Sequence, residues 1–519
     1  MLQISDVVPY CPLIFSVAVI FCVILWNNID NLKRHLVQAP ILNNHHYEEF
    51  QLSSVKSFSS YPTRLQFLLI LAYLAINVAF VGIDVQPPHN RWDQLAAVVR
   101  YRLGVLATVN MIPLFILAFR NNPLVYLLGI PFDTCILMHR WLGRIVAIEA
   151  LGHTIAHLAQ HGFTQTSLKL MISPSSPFLF WGFIATMSCL LLCALAWGPL
   201  RHAFYETFKQ SHVCLSILSI YSLWSHLRIG KLPELKITYA IIALWAAEHI
   251  SRTVRLIYLN ARRSSANALV ESLPGDACRL SVHLLPSWDI QPGQYTYLYI
   301  PFISFWESHP FSVAWTNETH YVSDKSGTQI SFVVKAKTGM TRRLYERSVA
   351  AGGSITTTCW LEGPYGCPRS LGSYGTVVLI AGGVGITQHL LQVRSLIHGY
   401  NNDTVATRKI LLIWSIRHRK HREWVKCWAD EISSLREGSD VFQILVYISQ
   451  PPPLSGVPWS GFTGRPDLER LIAKEQKYQI GTMVVSVCGP AQLSDSVRDA
   501  VRKLRGNNSI DLIECAFSW

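Results

Sequence analysis

Five stretches in the first half of the chain contain no Asp, Glu, Lys or Arg: residues 7–29, 65–83, 103–119, 170–200 and 210–227. A helix that crosses a bilayer core needs about 20 mainly apolar residues, and each stretch meets or approaches that length. Lipid offers no partner to a backbone N–H or C=O, so such segments are confined to helices that satisfy themselves. Two weaker stretches bring the expected spans to seven: 137–158, with Arg140, Arg144 and Glu149, and 237–258, with Glu248, His249, Arg252 and Arg255. The first run lacks a basic flank and ends in Trp26-Asn27-Asn28 rather than a small-residue cleavage site, so it reads as a retained helix.

The ionisable groups divide unevenly. Residues 1–260 hold 18 Lys+Arg and 11 Asp+Glu, whereas 261–519 hold 27 and 21. A membrane half therefore precedes a water-soluble half. The net charge of +13 is shared as +7 and +6 with no basic run of five, which argues against a nucleic-acid partner. The 12 cysteines form no C-x-x-C pair, so neither a zinc site nor a disulfide framework is indicated. With the second half in the cytosol, twelve Lys and Arg fall in loops on that side and seven on the other, in keeping with the positive-inside tendency.

Polar groups at membrane depth are costly and usually functional. His139 and His153 lie fourteen residues apart on the fourth span, and His212 and His226 fourteen apart on the sixth. At about 1.5 Å and 100° per residue, each pair is separated by about 21 Å and stays within about 40° of one face. Two such helices running in the same direction make two stacked histidine pairs, the arrangement needed to clamp two haems. Bis-His ligation leaves iron no open position and favours electron transfer. Arg140 and Arg144 stand where haem propionates would lie. His157, one turn from His153, is the other residue able to serve as the second ligand of the outer pair.

From about residue 269 short β-branched and aromatic runs appear (278–285, 295–300, 329–335), broken by Gly and Pro, and predict a small antiparallel barrel. After 371 strands alternate with helices: 376–381, a helix from Thr387, 409–416, a helix over 422–435, 442–448, 483–488 and a helix from Gln492. That alternation predicts a doubly wound parallel sheet. Its first turn, Ala381-Gly382-Gly383-Val384-Gly385-Ile386-Thr387, leads directly into a helix, where bare backbone and free N–H groups receive a pyrophosphate. The turn is not a strict G-x-G-x-x-G.

With His309-Pro310-Phe311-Ser312 after Pro292-Gly293-Gln294-Tyr295, and with Lys337-Thr338-Gly339-Met340-Thr341 opening a helix, the chain resembles the fungal ferric-chelate reductases of the bis-haem transmembrane flavocytochrome family, which includes the superoxide-producing NADPH oxidases. The resemblance implies a transmembrane haem domain, an FAD barrel and an NADPH domain like those of ferredoxin reductases. The implied limits are 1–63 for an N-terminal helix and linker, 64–260 for the haem domain, 261–370 for the FAD domain and 371–519 for the NADPH domain. It also implies that His309, Pro310 and Phe311 cradle FAD with Ser312 near its ring, and that Lys337, Gly339 and Thr341 hold its phosphates. Gly382, Gly383, Gly385 and Thr387 would take the nucleotide pyrophosphate, Cys488-Gly489-Pro490 would lie beside the nicotinamide, and the terminal Trp519 would cover the flavin. Glu362-Gly363-Pro364-Tyr365-Gly366 resembles the family's junction between lobes.

Arg417-His418-Arg419 follows the second parallel strand, where cations meet a 2′-phosphate and NAD sites instead carry a carboxylate, so NADPH is the expected donor. The expected activity is electron transfer from cytosolic NADPH through FAD and two b-type haems to ferric chelates or siderophores, with cupric ions as a second acceptor. The alternatives are superoxide production and a non-catalytic haem protein. The plasma membrane is the expected location, with the vacuolar membrane as the alternative. The sequons at Asn317, Asn402 and Asn507 lie in the half expected to be cytosolic.

Overall fold

The computed structural model describes residues 64–82, 92–122, 124–125, 130, 132–261, 267–285, 287–320, 326–366, 368, 370–435, 440–450, 461–504 and 510–515. The expected first span and Trp519 lie outside them. The chain divides into two compact units, residues 1–252 and 253–519.

The first unit is helical: α1 (Arg64–Gly82), α2 (Trp92–Ala118), α3 (Phe132–His161), α4 (Gln165–Ile172), α5 (Pro177–Leu195), α6 (Gly198–Ala203), α7 (Tyr205–Ile229) and α8 (Leu235–Ala261), whose last turns belong to the second unit. Among the described residues, α2 and α5 are long and apolar enough on their own to cross a membrane, and Gln66–Gly82 is apolar but shorter. The other three long helices, α3, α7 and α8, carry the histidines and most of the charges. The expected span over 170–200 is corrected: Ser173, Pro174, Ser175 and Ser176 separate α4 from α5, and α6 starts anew with Pro199 in its first turn. Proline cannot donate to the preceding turn, so it starts a helix more readily than it continues one.

The unit buries polar groups and exposes apolar ones. Asn77, Asn110, Glu149, Thr186, Ser219 and Ser222 are buried, whereas Leu71, Val78, Ile148, Ile155, Leu191 and Ile217 face outward. Lipid accepts the second set, and the first finds partners inside. Asn110 Nδ2 donates to both carboxylate oxygens of Glu149 at 2.9 Å and to Asn77 Oδ1 at 2.8 Å, and Tyr73 Oη donates to Asn110 Oδ1 at 2.7 Å. This chain of bonds joins α1, α2 and α3.

The second unit opens with an antiparallel barrel of two sheets. β1 (Asn267–Leu273), β2 (Ala277–Leu284), β5 (Trp315–His320), β6 (Ser326–Lys335) and β7 (Ser354–Thr358) lie in the order β5-β6-β2-β1-β7; β3 (Tyr295–Ile300), β4 (Ser304–Ser312) and β8 (Trp360–Tyr365) lie in the order β4-β3-β8. Alternate side chains, among them Val270, Leu280, Val282, Leu298, Ile330 and Phe332, fill its core beneath Met340 and Leu344 of α9 (Met340–Ala350).

A parallel sheet follows: β9 (Thr376–Gly382), β10 (Lys409–Ile416), β11 (Phe442–Ile448), β12 (Phe462–Thr463), β13 (Met483–Cys488) and β14 (Ile510–Glu514), ordered β12-β11-β10-β9-β13-β14. Its helices are α10 (Thr387–Asn401), α11 (Lys426–Ser434), α12 (Leu468–Lys477) and α13 (Ala491–Leu504). Every residue of β9 is buried, as a central strand covered on both faces requires. Strand order reverses between β9 and β13, which makes their carboxyl ends the expected ligand crevice. The helix expected over 422–435 is instead a 3-10 turn, Arg419–Trp424, followed by α11. Val425 leaves the helical region at φ −129°, while the buried Trp424 indole donates to Pro274 O at 2.7 Å.

Candidate functional site

The four membrane histidines meet as two pairs. The rings of His139 and His212 are 6.3 Å apart between centroids, inclined at 60°, and those of His153 and His226 are 6.3 Å apart, inclined at 86°. His157 stands instead 4.4 Å from His161. A ring nitrogen lies about 1.15 Å from the ring centre and binds a transition metal at about 2.0 Å, so two imidazoles on opposite sides of one iron would put their centres about 6.3 Å apart. Both pairs fit a bis-imidazole iron.

The outer nitrogens are anchored. His139 Nδ1 lies 2.9 Å from Leu114 O, His153 Nδ1 2.8 Å from Arg100 O, and His226 Nδ1 2.8 Å from Phe178 O. A backbone carbonyl at Nδ1 fixes the tautomer that leaves the Nε2 lone pair for a metal. Gly104 and Gly182 each follow their carbonyl by one helical turn. A Cβ on Gly104 would stand 2.7 Å from His153 Nδ1, and one on Gly182 2.8 Å from His226 Nδ1. Both helices thus present bare backbone where an imidazole must reach a carbonyl. The acceptor carbonyls, Gly104, Gly182 and Arg100 are absent from the sequence reading; the shared one-turn spacing of Arg100 to Gly104 and Phe178 to Gly182 is the signal that could have found them. His212 Nδ1 has no hydrogen-bond partner among the described residues. The same holds for the buried Nε atoms of Arg140, next to His139, and of Arg100, whose carbonyl holds His153. Two unsatisfied guanidinium nitrogens, one by each pair, suit carboxylates such as haem propionates.

In the barrel, β4 pairs with β3 so that His309 lies opposite Leu298, Pro310 opposite Tyr297, Phe311 opposite Thr296 and Ser312 opposite Tyr295. Side chains alternate along a strand, so Pro310 and Ser312 share one face and His309 and Phe311 the other. Phe311 packs on the barrel core, with the His309 ring 6.4 Å away. The Ser312 face also carries Tyr295, Tyr297 and Tyr365; the first and last stack at 5.9 Å. Glu362 accepts from Tyr299 Oη at 2.8 Å and Tyr365 Oη at 2.6 Å, which satisfies its buried carboxylate. Tyr295 and Tyr365 stand in two of the quoted motifs, but their meeting with Tyr297 in one cluster is set by strand pairing.

Lys337, Gly339 and Thr341 meet at the start of α9. Lys337 N donates to Thr341 Oγ1 at 3.1 Å, and Gly339 turns the chain at φ +61°. Arg417 is exposed beyond β10 with His418 and Arg419. Burial first, and then the charges of Arg417 and Lys337, hold the Lys335 ammonium below its ordinary range. The cations of the two lobes therefore gather in one electropositive patch suited to phosphate.

At the crevice, Gly385 and Gly489 allow two backbones to touch. A Cβ on Gly385 would stand 2.2 Å from Cys488 O, and one on Gly489 3.0 Å from Gly382 N. A Cβ on Gly382 would meet Pro490 Cδ at 2.7 Å. Gly383 adopts φ +56° with open space above it. Trp414 Nε1 holds Gly383 O at 2.9 Å, and Thr387 Oγ1 holds Val384 O at 2.9 Å. The glycine turn and Cys488-Gly489-Pro490, about a hundred residues apart, thus form one surface at the switch point. Burial, then nearby Cys515, raises the Cys488 thiol well above its usual range and keeps it a neutral packing group.

Three family models match in order along the chain: a ferric reductase like transmembrane component over residues 103–223, an FAD-binding domain over 262–369 and a ferric reductase NAD binding domain over 374–457. Similar proteins include ferric reductase transmembrane component 3 of Saccharomyces cerevisiae, 25% identical over 94% of this chain and 71% of the relative. Ferric/cupric reductase transmembrane component 2 of the same yeast is 26% identical over 95% and 72%. Ferric/cupric reductase transmembrane component 1 of Candida albicans is 25% identical over 92% and 65%. Three matched parts in this order, on a helical unit followed by a barrel and a parallel nucleotide-binding sheet, give this chain the domain organisation of the fungal ferric reductases it is similar to: an integral membrane protein with a ferric-reductase-like transmembrane part and FAD- and NAD-binding domains.

Proposed function

We propose that this chain moves electrons across a membrane from cytosolic NADPH, by way of FAD and two b-type haems, to ferric chelates on the far side, with cupric ions as a second acceptor. The observation that carries the reading is the equal 6.3 Å separation of two imidazole pairs, fourteen residues apart on each helix. In this reading residues 64–260 hold the haems, 261–370 the FAD and 371–519 the NADPH. When bound, FAD would supply the conversion of a two-electron donor into single electrons, and haem held by two imidazoles would supply a one-electron relay that needs no protein nucleophile or base.

The residues do the holding. His139 with His212, and His153 with His226, would hold the two haem irons through their imidazole nitrogens, and the carbonyls of Leu114, Arg100 and Phe178 keep three of those rings in register. Arg140 and Arg100 receive propionates. Ser312 and the tyrosine face next to it border the flavin ring, and Lys337, Gly339 and Thr341 its phosphates. Gly382, Gly383, Gly385 and Thr387 take the nucleotide pyrophosphate, Arg417 its 2′-phosphate, and Cys488-Gly489-Pro490 the nicotinamide. The plasma membrane, with the second unit cytosolic, is the location this activity requires for metal uptake.

The test is ferrous iron trapped from an external ferric chelate by intact cells expressing the chain, with and without superoxide dismutase. Trapping that is insensitive to the dismutase supports direct reduction. Trapping abolished by it would make oxygen the acceptor and the protein an oxidase.

A further inference from the structure

We propose that His157 and His161 form a capture site for the cupric ion, held by two imidazoles at the outer end of α3. The inference rests on the electron-transfer reading above and adds to it a place where one class of substrate is held.

The two residues are one turn apart and share a helix face. The exposed His161 closes α3, and Gly162 turns the chain away at φ +80°. Its Nδ1 lies 3.0 Å from His157 O, so this nitrogen carries the proton and Nε2 keeps a lone pair. Neither ring belongs to the 6.3 Å pairs. Their centroids are 4.4 Å apart, inclined at 34°. Two imidazoles on neighbouring, right-angled positions of one ion have centres about 4.4 Å apart, from the same bond lengths of about 2.0 Å that give about 6.3 Å for opposite positions. Beyond His139 and His153, each in a 6.3 Å pair, the helix thus carries two more rings at the cis distance, the first one turn past His153. His157 lies one helical turn beyond His153 on α3, which puts the captured ion next to the outer histidine pair.

Imidazole nitrogens suit Cu(II), which binds such donors more tightly than the other divalent first-row metals. Chelated Fe(III), a hard ion already wrapped in oxygen ligands, gains little from them. One electron arriving at the outer pair converts bound Cu(II) to Cu(I), which prefers sulfur ligands and leaves two nitrogens readily. The balance is NADPH plus two Cu(II) giving NADP+, one proton and two Cu(I).

The experiment uses the full chain, purified in detergent with its cofactors, and compares NADPH-driven reduction of Cu(II) and of Fe(III)–EDTA in wild type, His157→Ala, His161→Ala and His161→Gln. The expected result is a KM for Cu(II) raised roughly tenfold or more in each variant, with kcat at saturating Cu(II) and both constants for Fe(III)–EDTA little changed. In the oxidised protein, Cu(II) bound to wild type should show nitrogen couplings in its electron paramagnetic resonance spectrum that His161→Ala loses. An unchanged cupric KM in His161→Ala overturns the site, as does a parallel change in both metals or a wild type that reduces ferric chelate but not Cu(II). A wild type that reduces neither metal overturns the electron-transfer reading itself. If His157→Ala fails to assemble, the two variants at the exposed helix end decide.

Discussion

Gly104 lies against His153 so closely that a single added carbon would stand 2.7 Å from the imidazole Nδ1, closer than the 2.8 Å hydrogen bond between that nitrogen and Arg100 O. Gly182 repeats the relationship with His226 and Phe178 O. A ring anchored to a carbonyl on the same helix as the glycine cannot retreat without losing that bond.

Gly104→Ala and Gly182→Ala should therefore each displace an outer axial ligand. The expected outcome is loss of one of two low-spin haem signals in a redox titration and a fall in ferric-chelate reduction of at least about tenfold. NADPH oxidation with a soluble dye, which uses the second unit, should persist. A variant that keeps both haem signals would show that the glycines serve packing alone.

Gly385→Ala should disable the other end of the path. Its Cβ would meet the Cys488 carbonyl at 2.2 Å, and backbone cannot step aside as a side-chain tip can. The glycine turn and the Cys488-Gly489-Pro490 loop must then part. Dye reduction by NADPH should fall by about a hundredfold, while the haem spectrum of the membrane unit stays as in wild type.

Arg417→Ala should separate the two nicotinamide nucleotides. A guanidinium bonded to a phosphate contributes about 1.5 kcal/mol or more, less where water competes, so the KM for NADPH should rise about tenfold. The KM for NADH, which lacks the 2′-phosphate, should barely move. Equal changes for both would assign Arg417 to the solvated surface.

Asn110→Leu should destabilise the helical unit more than Glu149→Gln. Removing Asn110 leaves the buried carboxylate of Glu149 without its 2.9 Å donor and also breaks the bonds to Tyr73 and Asn77. The expected loss is about 1–3 kcal/mol. Gln at 149 keeps an acceptor for Asn110. Thermal denaturation in detergent, followed by haem release, ranks the two; the opposite order would contradict the network.

His389 makes the second unit sensitive to acid. Burial holds this imidazole down to about 4, against an ordinary value of 6.5, with its Nε2 3.2 Å from Ile380 O. The folded form keeps it neutral, while the unfolded chain takes up a proton below 6.5. Stability is therefore fully present above pH 6.5 and lost as the pH falls toward 4. Tryptophan-fluorescence unfolding curves across that window should show a shallower pH dependence in His389→Gln than in wild type.

Much of this was legible in one dimension. Periodicity locates β3, β10, β11 and β13 to the residue, because continuous apolar runs between turns suit central strands. The fourteen-residue spacing of His139 to His153 and His212 to His226 pairs the rings, because a helix turns by a fixed angle and two equal spacings match when the helices run parallel. Motif order brought out the glycine turn and the Cys488 loop, which the fold sets against each other.

Other features depend on neighbours distant in sequence. The single span expected over 170–200 is interrupted because serines and Pro174 separate α4 from α5, and the first turn of the helix expected over 422–435 is replaced by a 3-10 turn in which Trp424 reaches for Pro274 O. Strand alternation divides His309 and Phe311 from Pro310 and Ser312, although the four are consecutive. The sequence by itself determined which residues are apolar enough for lipid, which helices carry paired imidazoles and which turns are bare enough for phosphate, because these follow from composition and local period. The tertiary structure decided that Arg100 and Phe178 lend their carbonyls, that Gly104 and Gly182 make way for rings on other helices, and that Asn110 rather than a cation meets Glu149. Each of these is a contact between separate helices, set by how their surfaces fit rather than by the order of residues along either one.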